Sequence, residues 1–206
     1  PAASTQVQRH LADMAVFAWR LDQTVGDGIT IWQARVVPHT FNARFSAQSR
    51  RYRYRIAEDR QDDPLRRHNR WNVGEKMDVA AMRTAAKYLI GTHDFKSLCR
   101  AVPNRSTVRI ITGLTVARVA PRQVHIVVTG NAFCHQQVRA LVGCLVEVGR
   151  GIQSPQWVGM VLDAKDRSIA APVSPARGLT LEWVGYGPGV EAAPPIQVRD
   201  RVTTHI

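Results

Sequence analysis

Nowhere in its 206 residues does the chain approach the ~18–20 consecutive apolar residues of a membrane-spanning helix. Residues 1–20 also lack the apolar core of a secretory signal, which excludes secretion by that route. Cysteine is scarce and odd in number: Cys99, Cys134 and Cys144 form no C-x-x-C pair and have no histidine at zinc-ligand spacing. That pattern excludes a disulfide framework and predicts no metal site, leaving three reduced, buried thiols in an intracellular protein of the cytoplasm or mitochondrion. No internal repeat or low-complexity tract is present, so solenoid and fibrous classes drop out. Hydrophobic residues make up 45% of the chain. A length of 206 residues then suffices to bury a core without staples, and the sequence predicts a folded protein with no membrane partner.

Negative charge is the other shortage. Sixteen acids face 28 Lys and Arg, for a net charge of +12, and only four of those cations are Lys. A polyanionic partner explains such a balance most directly, because each cation that neutralises a phosphate releases a condensed counterion. A merely solubilising surface is the alternative, and the preference for Arg is also what a GC-rich genome produces. The excess is concentrated. Residues 44–70 hold nine Arg against four acids, and residues 97–122 hold five Arg and no acid.

Within the first of these stretches the run "RRYRYRI" alternates after its first residue. Arg51, Arg53 and Arg55 fall on one side of a strand and Tyr52, Tyr54 and Ile56 on the other. At ~3.3 Å per residue, alternate guanidinium groups stand ~6.6 Å apart, a spacing that suits successive phosphates of one RNA strand. A solvated edge strand with its Tyr side in the core has the same pattern.

Elsewhere strands and helices intermix. Gly28–Val37 and Ala43–Ile56 read as strands. Asp78 reads as the N-cap of a helix over Val79–Ile90 that stops at Gly91. Thr107–Ala120 and Gln123–Thr129 form a predicted hairpin about Pro121-Arg122. A helix is predicted over about Phe133–Gly149, with Val138, Leu141, Val142, Leu145 and Val148 buried and His135, Arg139 and Gly143 sharing another face. Glycine at 143 leaves room for something to approach closely beside Arg139. Ser154-Pro155 starts another short helix, and Leu179–Tyr186 reads as a strand. Pro/Gly-rich sequence from Gly187 reads as a tail. The fold class predicted is α+β, a largely antiparallel sheet with helices packed on one face. The divisions expected are a weakly matching segment 1–26, a domain 27–186 and a tail 187–206.

Three groups of residues, in this order, carry a family resemblance: "FNARFSAQSRRYRYRI" (Phe41–Ile56), then "GTHDFKSLCRA" (Gly91–Ala101) with "GNAFCHQQVRALVG" (Gly130–Gly143), then "SPARGLTLEWVGY" (Ser174–Tyr186). Together they closely resemble the TruA-type tRNA pseudouridine synthases, over about Asp27–Tyr186. The resemblance implies an RNA-binding α+β fold, generally homodimeric, that isomerises uridine to pseudouridine in tRNA without cofactor or metal. It implies that Tyr52 lies against the flipped uracil and takes part in removing the C5 proton. It implies that Arg139 pairs with the nucleophilic carboxylate, and that Phe133 and Leu179 line the uracil pocket. A base removed from its stack needs such an apolar or aromatic sandwich. Arg44, Arg51, Arg53 and Arg55 are the expected RNA contacts. Asp94 reads as a cap or turn anchor and His135 as structural or a phosphate contact.

The family's nucleophile is the Asp of "GRTDAGVHA", and no Gly-Arg-Thr-Asp string occurs in the chain. Alignment on Phe41–Ile56 places that Asp just upstream of Pro1. The 206 residues alone are therefore expected to be inactive, with an uncovered sheet edge that a protein partner or second copy covers. Two further readings follow: a non-catalytic RNA-binding subunit of a larger ribonucleoprotein such as a ribosome, mitochondrial or otherwise, on structured rRNA, or a split enzyme whose Asp comes from another chain.

Overall fold

The computed structural model describes the backbone of residues 2–187 and the side chains of residues 13–187. The chain divides into two compact units, one reaching to Ser46 and one spanning Ala47–Tyr186.

In the N-terminal unit a helix, α1, runs over Ala2–Thr24. Gly28–Val37, expected as a strand, joins no ladder among the described residues. Ile31 N instead donates to Asp22 Oδ1 at 2.7 Å. The second expected strand also starts later than its apolar pattern predicts. Asn42 Oδ1 accepts from the amides of both Arg44 and Phe45, at 2.9 and 3.1 Å, so this polar side chain folds residues 42–45 into a turn. Arg44 consequently lies in that turn, over the ring of Phe45, and not on the strand with Arg51, Arg53 and Arg55.

The second unit is built on a six-stranded sheet. Its strands are β1 (Ser49–Ala57), β2 (Trp71–Asn72), β3 (Gly91–Asp94), β4 (Val108–Ala120), β5 (Gln123–Gly130) and β6 (Leu179–Gly185). The path β2-β1-β5-β4-β3 is antiparallel except for the short β1–β2 pair, and β6 joins the other side of β1 antiparallel. The Arg/Tyr strand is thus interior, with β5 on one side and β6 on the other. Tyr54, Ile56, Leu114, Val116, Val124, Ile126 and Val128 turn to one face and are buried. Arg51, Arg53, Arg55, Thr115, Ala117, His125 and Val127 turn to the other and are exposed or half-buried.

Helices cover the apolar face, as the period-2 pattern requires. They are α2 (Val79–Lys87), α3 (Gln137–Gly149) and α4 (Pro155–Ala164). Asp78 caps α2, its Oδ1 accepting from Ala80 and Ala81 N at 2.9 Å each. The stripe Val138, Leu141, Val142, Leu145 and Val148 is buried as expected, but so are most other residues of α3, which is the central helix of the core. It begins four residues later than predicted. Gln136 takes a left-handed φ of +64°, and Gln137 Oε1 accepts from Cys134 N at 2.8 Å, so residues 133–136 form a turn. His135 therefore shares no helix face with Arg139 and Gly143: it is exposed ahead of the helix, its carbonyl accepting from Arg100 N. The hairpin turns at Pro121-Arg122 as predicted. Of the predicted tail, all but Gly187 lies outside the described residues.

Candidate active site

Alternation along β1 puts Tyr52 and Tyr54 on the helix-covered face, and their surroundings separate their roles. Tyr54 is fully buried, and its hydroxyl donates to the Pro175 carbonyl at 2.7 Å. Burial pushes its phenol up to about 12, partly offset by the Ser174 hydroxyl and the charges of Arg139 and Arg177. Tyr52 is half-buried and meets Phe133 edge-to-face, ring centroids 5.3 Å apart at 87°. Phe133 reaches it from the turn ahead of α3 because Gly130 has no side chain: a Cβ there would lie 2.6 Å from the Ile110 carbonyl and 3.1 Å from Phe133 Cζ. Leu179, half-buried against the same core, sits opposite Tyr54 in register across β1 and β6.

Arg139 lies in the first turns of α3, half-buried. Its Nε donates to the Ser174 carbonyl at 2.6 Å, and Ser174 N donates back to the Arg139 carbonyl at 3.2 Å. Neither terminal guanidinium nitrogen hydrogen-bonds a described residue, so the end of the fork is open to an anion. The strand of chain that holds it, residues 171–178, is clamped from two sides. On the helix side Gly143 admits it, since a Cβ there would stand 2.2 Å from the Pro172 carbonyl. On the sheet side Gly178 lies under Tyr54, a Cβ there falling 2.6 Å from two ring carbons. The close approach expected at Gly143 is thus made by backbone.

The three strand arginines leave the opposite face. Arg53 pairs with Glu182 at 2.7 Å and lies 3.2 Å from His125 Nδ1. Arg55 donates to Thr180 Oγ1 at 2.7 Å, and Arg51 stands 5.6 Å over the Trp183 ring. The ladder therefore does not border the Tyr52–Phe133 pair. His125 beside it is held below the usual histidine range, by burial first and then by Arg53 and Arg55. Asp94 anchors a turn as read, accepting from Lys96 N at 3.2 Å and from the Thr107 hydroxyl.

All three cysteines are free, and Cys134 is half-buried where burial had been expected. Burial pushes the thiols of Cys99 and Cys144 up, to about 12 and about 11. No cluster of three or more His, Cys, Asp or Glu forms a metal-holding group among the described residues. No described helix is long and apolar enough to cross a membrane. No sequence pattern assigns a site role to Tyr54 or Ser174, and the clamp on residues 171–178 depends on contacts that only the fold makes.

A largely antiparallel sheet backed by three helices is the pseudouridine synthase-like fold expected from the sequence. Residues 85–187 match the family model described as tRNA pseudouridine synthase. Over 177 residues the chain is 43% identical to tRNA pseudouridine synthase A of Frankia casuarinae, covering 85% of this chain and 65% of that one. It is 38% identical over 186 residues to the Myxococcus xanthus protein of the same name, covering 88% and 69%. For the Streptomyces avermitilis protein of that name the identity is 39% over 169 residues, covering 81% and 59%. The chain belongs to the TruA-type tRNA pseudouridine synthase family, and it spans about two thirds of the length of these curated relatives.

Proposed function

We propose that the protein binds tRNA and isomerises uridine to pseudouridine, with Tyr52, Phe133, Leu179 and Arg139 forming the base-recognition half of the active site. In this reaction the N1–C1′ bond breaks, the uracil turns over, a C5–C1′ bond forms, the C5 proton leaves to solvent and N1 takes a proton from solvent, with no net change of composition or oxidation state. Tyr52 and Phe133 sandwich the extruded uracil with Leu179, and the Tyr52 hydroxyl assists departure of the C5 proton. Arg139 holds the nucleophilic carboxylate, which the 206 residues do not supply in a Gly-Arg-Thr-Asp motif. The observation that carries this reading is Arg139 itself: its Nε is fixed by Ser174 while both terminal nitrogens are left for an anion. A half-buried guanidinium whose fork is aimed and unfilled is suited to bidentate capture of a carboxylate.

Arg51, Arg53, Arg55 and, from its turn, Arg44 serve as RNA contacts in this reading. In the N-terminal unit, Phe17, Trp19, Ile29, Trp32, Val36 and Phe45 are 50–80% exposed, which supports a protein partner or second copy over this surface.

The test uses the full natural polypeptide containing this chain and an unmodified tRNA transcript labelled with tritium at uridine C5. Tritium is released to water with the parent, and release is lost in Tyr52→Phe and Arg139→Ala while tRNA binding persists. A parent that binds tRNA but releases no tritium makes the chain a non-catalytic RNA-binding subunit instead.

A further inference from the structure

The arginines picked out by their strand pattern are largely engaged with neighbours, whereas three unengaged cations meet elsewhere. At the far end of β1 from Tyr52 a cleft of about 730 Å³ is lined by Glu58, Arg60, Glu75, Lys76, Arg118 and Arg122, with Gly74 and Pro121. Both of its acids are already neutralised. Glu58, buried, is held by Arg118 through both carboxylate oxygens and accepts from Met77 N at 2.8 Å. Glu75 pairs with Arg150, from outside the cleft, at 2.6 Å. Arg60, Lys76 and Arg122 are exposed and make no side-chain hydrogen bond or ion pair among the described residues. Three uncompensated positive charges thus ring one concavity, built from three separate parts of the chain.

Arg122 adds an independent observation. It occupies the second position of the β4–β5 turn at a φ of +59°, a left-handed conformation that such turns ordinarily give to glycine or asparagine. Arginine there is a local cost, and it directs a cation to the rim of the cleft. The neighbouring Gly74, at a φ of +79°, has nothing within 4 Å of its missing Cβ, so the cleft floor is open on that side.

We propose that Arg60, Lys76 and Arg122 form a phosphate-binding cleft for the RNA backbone, distinct from the base pocket. The inference rests on the tRNA-binding reading above and deepens it. Glu58 lies six positions beyond Tyr52, just past the end of β1, so the cleft lies ~20 Å from the pocket along the strand direction. It engages RNA flanking the reacting uridine, and it contributes to affinity and not to chemistry.

The experiment measures tRNA affinity of the full natural polypeptide against salt concentration, for the parent, Arg122→Gly, Lys87→Ala and the triple variant Arg60→Ala/Lys76→Ala/Arg122→Gly. Removing one phosphate contact lowers the log–log salt slope by about 0.7–0.9, so the triple variant loses about two to three units of slope. Turnover at saturating tRNA stays at the parent's value while KM rises. Arg122→Gly keeps a Tm at or above the parent's, which separates lost contact from lost folding. Lys87, equally exposed at the end of α2, leaves the slope unchanged when replaced. A parent that binds tRNA with a triple-variant slope equal to its own overturns the cleft alone, as does a Lys87→Ala loss equal to that of Arg122→Gly. A parent indifferent to tRNA overturns the functional reading, and the cleft with it.

Discussion

Arg139 and Ser174 are joined by two hydrogen bonds running in opposite directions, Nε to the Ser174 carbonyl at 2.6 Å and Ser174 N to the Arg139 carbonyl at 3.2 Å. The pairing holds only while residues 172–174 lie directly on α3, and Gly143, one turn beyond Arg139, is what lets them. A Cβ at 143 would stand 2.2 Å from the Pro172 carbonyl, and backbone on both sides leaves it nowhere to go. Gly143→Ala is therefore expected to lower unfolding free energy by about 1–3 kcal/mol, the usual range for overpacking. It should also reduce kcat more than it raises KM, because Arg139 loses its aim. Gly113→Ala, with nothing within 4 Å of the added carbon, stays within about 0.5 kcal/mol of the parent. Denaturant titration of the two variants side by side checks the pair.

Period and capping made much of this architecture legible beforehand. The alternation of Arg51–Ile56, the cap at Asp78, the hairpin about Pro121-Arg122 and the buried stripe from Val138 to Val148 all appear where local chemistry puts them. Two misread boundaries fall where a polar side chain captures the backbone before a periodic pattern extends, at Asn42 ahead of β1 and at Gln137 ahead of α3, and the apolar run Gly28–Val37 forms no strand among the described residues. Within the site, Tyr52 and Phe133 meet edge-to-face. The Arg139–Ser174 pairing joins residues 35 apart and depends on two glycines whose neighbours only the fold reveals. Which cations are free is similarly a tertiary fact. Arg53 belongs to a conspicuous run yet is paired, whereas Arg122 is isolated in sequence and unpaired.

His125 offers a test of the sheet's cationic face. Burial, Arg53 and Arg55 hold its pKa below the ordinary 6.5, and Glu182 acts weakly the other way. Between its folded pKa and 6.5 the unfolded chain binds a proton that the folded chain refuses, so the histidine makes stability fall as pH drops through that window. Imidazole proton NMR should give a midpoint below 6.5 for the parent. Replacing Arg53 by Ala removes a repelling charge and moves the midpoint up. Glu182→Gln removes an attracting one and moves it down. Movement in the opposite sense in either variant would mean that the ring faces other charges.

Tyr54 contributes, with the buried thiols of Cys99 and Cys144, to the alkaline limit of the same domain. Its hydroxyl is sealed under Gly178 and bonded to the Pro175 carbonyl, so ionisation must place a phenolate in the core. Its pKa accordingly rises from 10.0 to about 12. From pH 10 upward the unfolded chain gives up a proton that the folded chain retains until about 12. Stability contributed by that retained proton is complete below pH 10 and is lost as pH rises across the interval. Spectrophotometric titration of the native chain is expected to show one phenol ionising near 12 that disappears in Tyr54→Phe. At neutral pH the Phe variant is less stable by about 0.5–1.5 kcal/mol, the net worth of the hydrogen bond to Pro175. Above pH 10 the gap narrows, because the Phe variant has no proton to retain. Equal pH dependence in parent and variant between 10 and 12 would show that the ring is not sealed, and that residues 171–178 do not hold Tyr54 and Arg139 as one unit.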